Sequence, residues 1–411
     1  MTFHAGRFVH SAIAVAGLSL LTVPASTAPG RRADPEPSRP GGPVLVGHRG
    51  AAGTAPENTT AGFRDALAAG AEFFEIDVQL SADGVPFVFH DDVPARTTDV
   101  AEVFPDRADD PITSFTWAEL QQLDAGSSFD ARFTGERIPH LDDVADAAGN
   151  GIGVYIEGKS PVTSPGIGDL LAEQLRTDPR WQRLVAAGRV QVICFDEEFT
   201  RAFAALAPEI PLQQLTFLVP TPDILASWAG HVDSVGAFHR ALTQQDVDAV
   251  HAAGLTMSVY TANSPAAVRR VVELGVDAVT TDFPIQNALG LQGGPVPAVQ
   301  EREISGVTPA PAADAGSPEE AAAAECVTLR NVSEVPRDLG GYFLRTSLTA
   351  VLTIGEGQVL RPGAELRVHT GRGPDSAADC YSGLDAPVLS RAGGSIALWS
   401  PQLRLLDVFA G

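Results

Sequence analysis

Short apolar runs alternate with longer amphipathic stretches from residue 43 to residue 290. The runs lie at 44–48, 73–79, 85–90, 153–157, 190–195, 212–218, 234–238, 256–261 and 276–281. Most are rich in Val, Ile, Leu or Phe and are bounded by Gly, Pro or Asp, which marks buried strands. Between them, 58–69, 141–148, 165–184, 198–206, 243–253 and 265–274 carry apolar residues three and four apart, the spacing of helices that cover a sheet. Strands and helices alternating over about 250 residues predict a (β/α)8 barrel of the TIM type. Nine runs compete for the eight places of such a barrel, and the Asp83-Gly84 turn leaves no room for a helix between the second and third. The barrel is therefore expected to be irregular there, or one run lies outside it.

The pattern changes three more times. From 91 to 139 it loosens into a polar, turn-rich insertion after the third strand, with room for one short helix at 113–124. Residues 291–325 are rich in Pro, Ala and Glu with almost no large apolar side chains, the composition of a linker. Beyond it, 326–411 carries short strand-like runs separated by Gly, Pro and Asp turns, which predicts a small immunoglobulin-like β-sandwich. At the other end, Arg7 precedes a charge-free stretch from Ser11 to Val23 and then small residues at Ala25–Ala28. That is the layout of a secretory signal peptide over 1–28, too short to span a bilayer, so the protein is expected to be secreted and not inserted in a membrane. Residues 29–42, rich in Pro, Arg and Gly, are expected to be disordered.

Charge sharpens the division. Residues 43–290 hold 15 Arg or Lys against 35 Asp or Glu, a net −20, whereas 326–411 hold 8 of each. An acidic barrel repels nucleic acid and anionic bilayer surfaces. The neutral β module behind a linker is expected to fold on its own, leaving a barrel that is active without it. Of the three cysteines, Cys326 and Cys380 are the expected disulfide pair of a secreted protein, and Cys194 the free thiol.

Candidate chemistry sits where apolar runs stop. His48 follows Val44–Val46, Glu75 follows Phe73–Phe74, Asp77 lies two residues on, and His90 follows Phe87–Phe89. Strand ends are where parallel-strand barrels collect their reactive groups. Two histidines can act as acid and base near neutral pH, and carboxylates at i and i+2 on a strand face the same way and can share a hard cation. Arg49, beside His48, suits bidentate recognition of phosphate. Together these point to hydrolysis of a phosphate ester. Lys159 is the chain's only lysine, two residues after Glu157, so its ammonium is expected beside the carboxylates.

The stretches GHRGAAGTAPENT at 47–59 and EIDVQLSADGVPFVFHDD at 75–92 resemble the glycerophosphodiester phosphodiesterase family. The likeness continues through Ile138-Pro139-His140-Leu141, Glu157-Gly158-Lys159 and Thr281-Asp282 with Pro284, and covers about 43–290. It implies a metal-dependent enzyme that releases an alcohol and sn-glycerol 3-phosphate from a small phosphodiester. One divalent cation, Ca2+ or Mg2+, would be held by Glu75, Asp77 and Glu157, and Arg49 and Lys159 would bind phosphate. One of His48 and His90 would be the base and the other the acid, in an order left open, as is the alternative that His90 lies beside the metal. The family's insertion lies over the site mouth. Three departures touch substrate shape: Cys194-Phe195 where Ser-Phe is usual, Tyr260 where Trp is usual, and Phe283 where a basic residue is frequent. The other histidines, His140, His231, His239, His251 and His369, match no catalytic motif and are expected to be structural. CVTLRN, DLGGYFL and LRPGAELRVHTGRG in the β module resemble a lamin-tail domain, which could bind an extracellular or cell-surface partner. Two other functions stay open: cleavage of lysophospholipids, and a scaffold acting through the β module.

Overall fold

A strand apolar on both faces needs cover on both, and β2 (Phe73–Leu80), buried from Phe74 onward, receives it inside a closed sheet. The computed structural model describes residues 42–284, 287, 302–311, 317–346, 350–389, 395–401 and 405–410. The expected signal peptide and disordered segment lie outside the described residues, except Gly42.

Eight parallel strands form the barrel. They are β1 (Val44–Gly47), β2, β4 (Gly153–Gly158), β5 (Val190–Cys194), β6 (Leu212–Thr216), β7 (Ser234–Phe238), β8 (Thr256–Tyr260) and β9 (Ala278–Thr281), and β1 closes the ring by pairing with both β9 and β2. β3 (Pro86–Val88) is the ninth candidate, and it runs antiparallel on β2, with Val88 opposite Val78, outside the barrel. Helices pack around the ring, beginning with Thr60–Ala68, whose N-terminus is capped by the Thr59 hydroxyl accepting from the Gly62 amide. Phe63, Phe74, Ile76, Trp181 and Val259 are among the fully buried side chains between helices and strands.

The insertion is more compact than its polar sequence predicts. It wraps a core of its own: Phe87 and Phe89 around β3 with Val100, Ile112, Phe115, Leu120, Leu123 and Ile138. These apolar residues are spread singly among turns, so no periodic run announces them.

The β module is a sandwich. One sheet has the order β10 (Arg302–Thr308), β11 (Cys326–Asn331), β16 (Glu365–His369), β17 (Asp379–Tyr381). The other has the order β14 (Val351–Thr353), β13 (Phe343–Thr346), β18 (Ser395–Trp399), β19 (Leu405–Ala410). A ribbon of β12 (Arg337–Asp338) and β15 (Val359–Leu360) lies beside them. Val327, Leu329, Leu366 and Val368 of the first sheet meet Leu344, Leu352, Ile396 and Leu398 of the second.

Two expectations need correction. The segment read as a linker contains β10, which pairs along β11, and the helix Pro318–Ala324, so the module begins well before Cys326. Among the described residues β10 buries only Ile304 and the helix only Ala322, too little apolar surface to stand out in sequence. The Cys326–Cys380 disulfide does not form, since both thiols are free and buried. β16 lies between their strands, pairing His369 with Cys326 and Val368 with Cys380. Two strand spacings separate the cysteines by about 9–10 Å, beyond the roughly 7 Å between Cα atoms that a disulfide spans. Among the described residues no helix is long and apolar enough to cross a membrane.

Candidate active site

The C-terminal ends of the barrel strands carry the expected residues, except His90, which follows β3. β1 stops at Gly47, and the chain turns so sharply that Arg49 adopts φ 49°. Asn58 at φ 53° and Ser160 at φ 43° are the other non-glycine residues in the left-handed region among the described residues. All three adjoin the site, where backbone strain of about 1–3 kcal/mol each is tolerated because it aims side chains. Gly50, at φ 88°, lies so close to the first helix that a Cβ would meet the Gly62 carbonyl carbon at 2.6 Å.

Each histidine is held by a carboxylate. His48 Nδ1 is 2.6 Å from Asp282 Oδ1, and Asn263 Nδ2 donates to the other Asp282 oxygen at 2.5 Å. His90 Nδ1 is 2.7 Å from Asp91 Oδ1. A carboxylate at Nδ1 fixes the proton on that nitrogen and leaves Nε2 for the reaction. Behind His90 runs an ion-pair chain: Arg96 donates to both oxygens of Asp91 and of Glu57, and Arg49 donates to Glu57 at 2.8 Å. Burial opposes ionisation of Glu57, yet Arg49 and Arg96 hold its carboxyl down at about 2. Asp91 is likewise held well below the usual carboxylate range by His90 and Arg96 against burial. Glu57, His90 and Asp91 are close enough together to suggest a second cation site. The two arginines already neutralise it.

Glu75, Asp77 and Glu157 come together as the sequence predicts, one oxygen of each within 4.8 Å of the others, and all are buried. Asn58 Nδ2 donates to Asp77 Oδ2 at 2.8 Å, the Arg49 amide to Glu75 at 2.8 Å, and Lys159 Nζ to Glu157 at 3.1 Å. Burial, then the charges of Asp77 and Glu157, push Glu75 well above the ordinary range. Burial and Asp77 raise Glu157 to about 7 although Lys159 opposes them. Asp77 is lowered despite burial, because His90, Arg49 and Lys159 surround it. The mutual repulsion that raises Glu75 and Glu157 is what a cation bound among the three carboxylates would relieve. An all-oxygen donor set of this kind fits a hard divalent cation.

His48, Arg49 and His90 face one cavity of about 340 Å³. Arg49 lines the cavity, and its Nε is buried 3.6 Å from Asp77 Oδ2 with no hydrogen bond among the described residues. Phe283 is in the cavity wall, but Phe195 and Tyr260 are not. They join Phe217 in an aromatic cluster at the ends of β5, β6 and β8, with Phe195 5.3 Å from Phe217 and 5.9 Å from Tyr260 between ring centroids.

Sequence reasoning missed several participants. Asp282 and Asp91 were visible only as the partners of Thr281 and His90 in two-residue motifs, with no role of their own. His239 was read as structural, yet it lines the cavity with Nδ1 buried and unpartnered among the described residues, and burial keeps it neutral with a pKa of about 4. His140 is structural as expected, its Nδ1 capping the helix Leu141–Ala148. Arg345, Thr346, Ser395 and Ala397 of the β module also line the cavity, against the expectation of a module separate from the site.

The sequence profile of the Glycerophosphoryl diester phosphodiesterase family matches residues 48–286. The chain is 30% identical over 253 residues to a glycerophosphodiester phosphodiesterase of Bacillus subtilis, covering 59% of this chain and 84% of the relative. It is 32% identical over 248 residues to one of Bacillus altitudinis, covering 58% and 94%. Among solved structures, an Oleispira antarctica phosphodiesterase in complex with the product sn-glycerol-3-phosphate superposes with a TM-score of 0.54 at 30% identity, covering 61% of this chain and 97% of that one.

Proposed function

The chain belongs to the glycerophosphoryl diester phosphodiesterase family, and from that membership we propose that it is a secreted, metal-dependent enzyme that releases sn-glycerol 3-phosphate by two-histidine catalysis. It is a glycerophosphodiester phosphodiesterase, a phosphoric diester hydrolase. The observation that carries the mechanism is the pair of histidines, each with Nδ1 on a carboxylate and both facing one cavity beside a buried carboxylate triad.

With Nδ1 occupied, Nε2 of one histidine accepts the proton of the attacking hydroxyl, and Nε2 of the other donates a proton to the departing alkoxide. Asp282 and Asp91 stabilise the imidazolium that each histidine becomes during turnover. Arg49, in the cavity wall, offers its guanidinium to phosphate, and Lys159 adds a compact charge on the side of Glu157 and Asp77. Glu75, Asp77 and Glu157 would hold the divalent cation, Ca2+ or Mg2+, which supplies Lewis-acid stabilisation of phosphate charge. The secretory layout of residues 1–28 supports export, and N-terminal sequencing of protein recovered from culture medium tests it.

A panel of glycerophosphocholine, glycerophosphoglycerol and glycerophosphoethanolamine tests the reading. Turnover should vanish on exhaustive chelation and return with added cation, and His48→Asn should abolish it. Full activity after chelation overturns metal dependence, and full activity of His48→Asn overturns the histidine mechanism. One observation favours a second reading, action on lysophospholipids: Val162, Phe195, Phe217 and Leu218, just past β4, β5 and β6, are 86%, 38%, 69% and 65% exposed. Apolar side chains exposed at a site mouth can meet an acyl chain. The scaffold reading requires a degraded barrel site, and His48, His90, Glu75, Asp77 and Glu157 are all in place.

A further inference from the structure

The cavity that holds His48 and His90 is not built by the barrel alone. Arg345 and Thr346 of β13 and Ser395 and Ala397 of β18 stand in its wall. The two strands are neighbours, with Thr346 opposite Ile396, so they present one continuous edge to the site. Phe283, which follows β9, packs against Ala397, Trp399 and Val408 and fastens the module to the barrel.

Arg345 makes the most specific contact. It is 8% exposed, and its guanidinium lies over the ring of Phe129, 4.1 Å from the centroid. Nη1 donates to the Phe129 carbonyl oxygen, and Nη2 lies 3.8 Å from Asp130 Oδ2. Phe129 and its neighbour Ser128 belong to the insertion and themselves line the cavity. One buried side chain of the β module thus grips the part of the insertion that covers the histidines. Desolvating a guanidinium costs several kcal/mol unless it is paired, and its hydrogen-bond and ion-pair partners among the described residues are on the insertion. Arg345 Nε and the Thr346 hydroxyl remain buried with no hydrogen-bond partner among the described residues. Orphaned polar groups in a cavity wall favour a ligand that hydrogen-bonds and penalise one that does not.

We propose that the C-terminal β module is a wall of the active site, in which Arg345 is a positioning residue that clasps the insertion at Phe129 and Asp130, and that the closed cup selects phosphodiesters of small hydroxylated alcohols over those bearing an acyl chain. This rests on the phosphodiesterase reading and stands against the lysophospholipid one, since Val162, Phe195, Phe217 and Leu218 are not in the wall of this cavity. A cup of about 340 Å³ is at the small end of ligand pockets. It has room for a phosphate with a short polyol, whose hydroxyls suit the polar side chains Thr346 and Ser395 in its wall.

The test uses the full chain and two substrates that differ only in the acyl chain, glycerophosphoglycerol and lysophosphatidylglycerol. Wild type should prefer the first by at least about tenfold in kcat/KM. Arg345→Met should raise KM for it by at least about tenfold, change kcat less, and reduce the preference at least about fivefold. Arg345→Lys, which can still meet Asp130 and the Phe129 carbonyl, should recover part of the KM. Hydrogen exchange over residues 125–133 should quicken in Arg345→Met. A folded Arg345→Met protein with unchanged KM, preference and exchange overturns the proposal, as does a wild type that uses both substrates equally. If wild type turns over no glycerophosphodiester, the phosphodiesterase reading has failed instead, and the exchange measurement alone decides whether Arg345 is a clasp.

Discussion

A histidine is a useful acid or base only when its ring is held, and here Asp282 holds His48 across 234 residues of sequence. Asp282→Asn keeps the shape but can offer its amide N–H to Nδ1, which favours the wrong tautomer. It should lower kcat at least about 100-fold with little change in KM, as read by steady-state kinetics. Glu57 tests the ion-pair chain differently. Its folded pKa, about 2, lies below its ordinary value of 4.5, so its contribution to stability is present above 4.5 and lost as pH falls toward 2. Glu57→Gln should therefore melt well below wild type near neutral pH, by on the order of 3 kcal/mol, and the gap should narrow as melts are taken down to about pH 3. A gap independent of pH would mean that shape, not charge, matters at Glu57. The reactive groups were legible because His48, Arg49, Glu75, Asp77 and His90 are clustered in the chain at the ends of apolar runs. Asp282, His239 and Arg345 were not, because their roles come from contacts between distant segments that leave no local pattern.

Elements were legible in proportion to how much apolar surface each buries. The barrel strands bury almost all of theirs and appear as runs, whereas β10 and the helix Pro318–Ala324 bury one small patch each and vanish into a Pro/Ala-rich background. β3 shows what an apolar run leaves unsaid. Its run Phe87–Phe89 is apolar, but Phe87 and Phe89 turn into the core of the insertion and only Val88 packs with the barrel. Periodicity reports burial without naming the neighbour. Phe115, fully buried in that separate core, should cost about 3–5 kcal/mol when cut to alanine. The loss should show as faster proteolysis within 91–139. The disulfide expectation failed for a related reason, since cysteine count carries no register. Three thiols should titrate in denaturant without reductant, and a reductant should leave the melting temperature unchanged.

At the scale of the molecule, the acidic barrel and the neutral β module share one cavity, whose far wall is Arg345, Thr346, Ser395 and Ala397. Composition argued for separable domains because it registers the charge of a segment and not the surface it faces. The residue that grips Phe129 follows it by 216 positions, so synthesis delivers the barrel long before its wall. Domains made first tend to fold first. A chain whose β module is still being made would therefore hold an assembled reaction centre open on one side. Discrimination among substrates would then be the last property the protein acquires. In refolding from denaturant, selectivity for glycerophosphoglycerol should lag behind the return of hydrolysis itself. Simultaneous recovery of the two would show that the barrel waits for its wall.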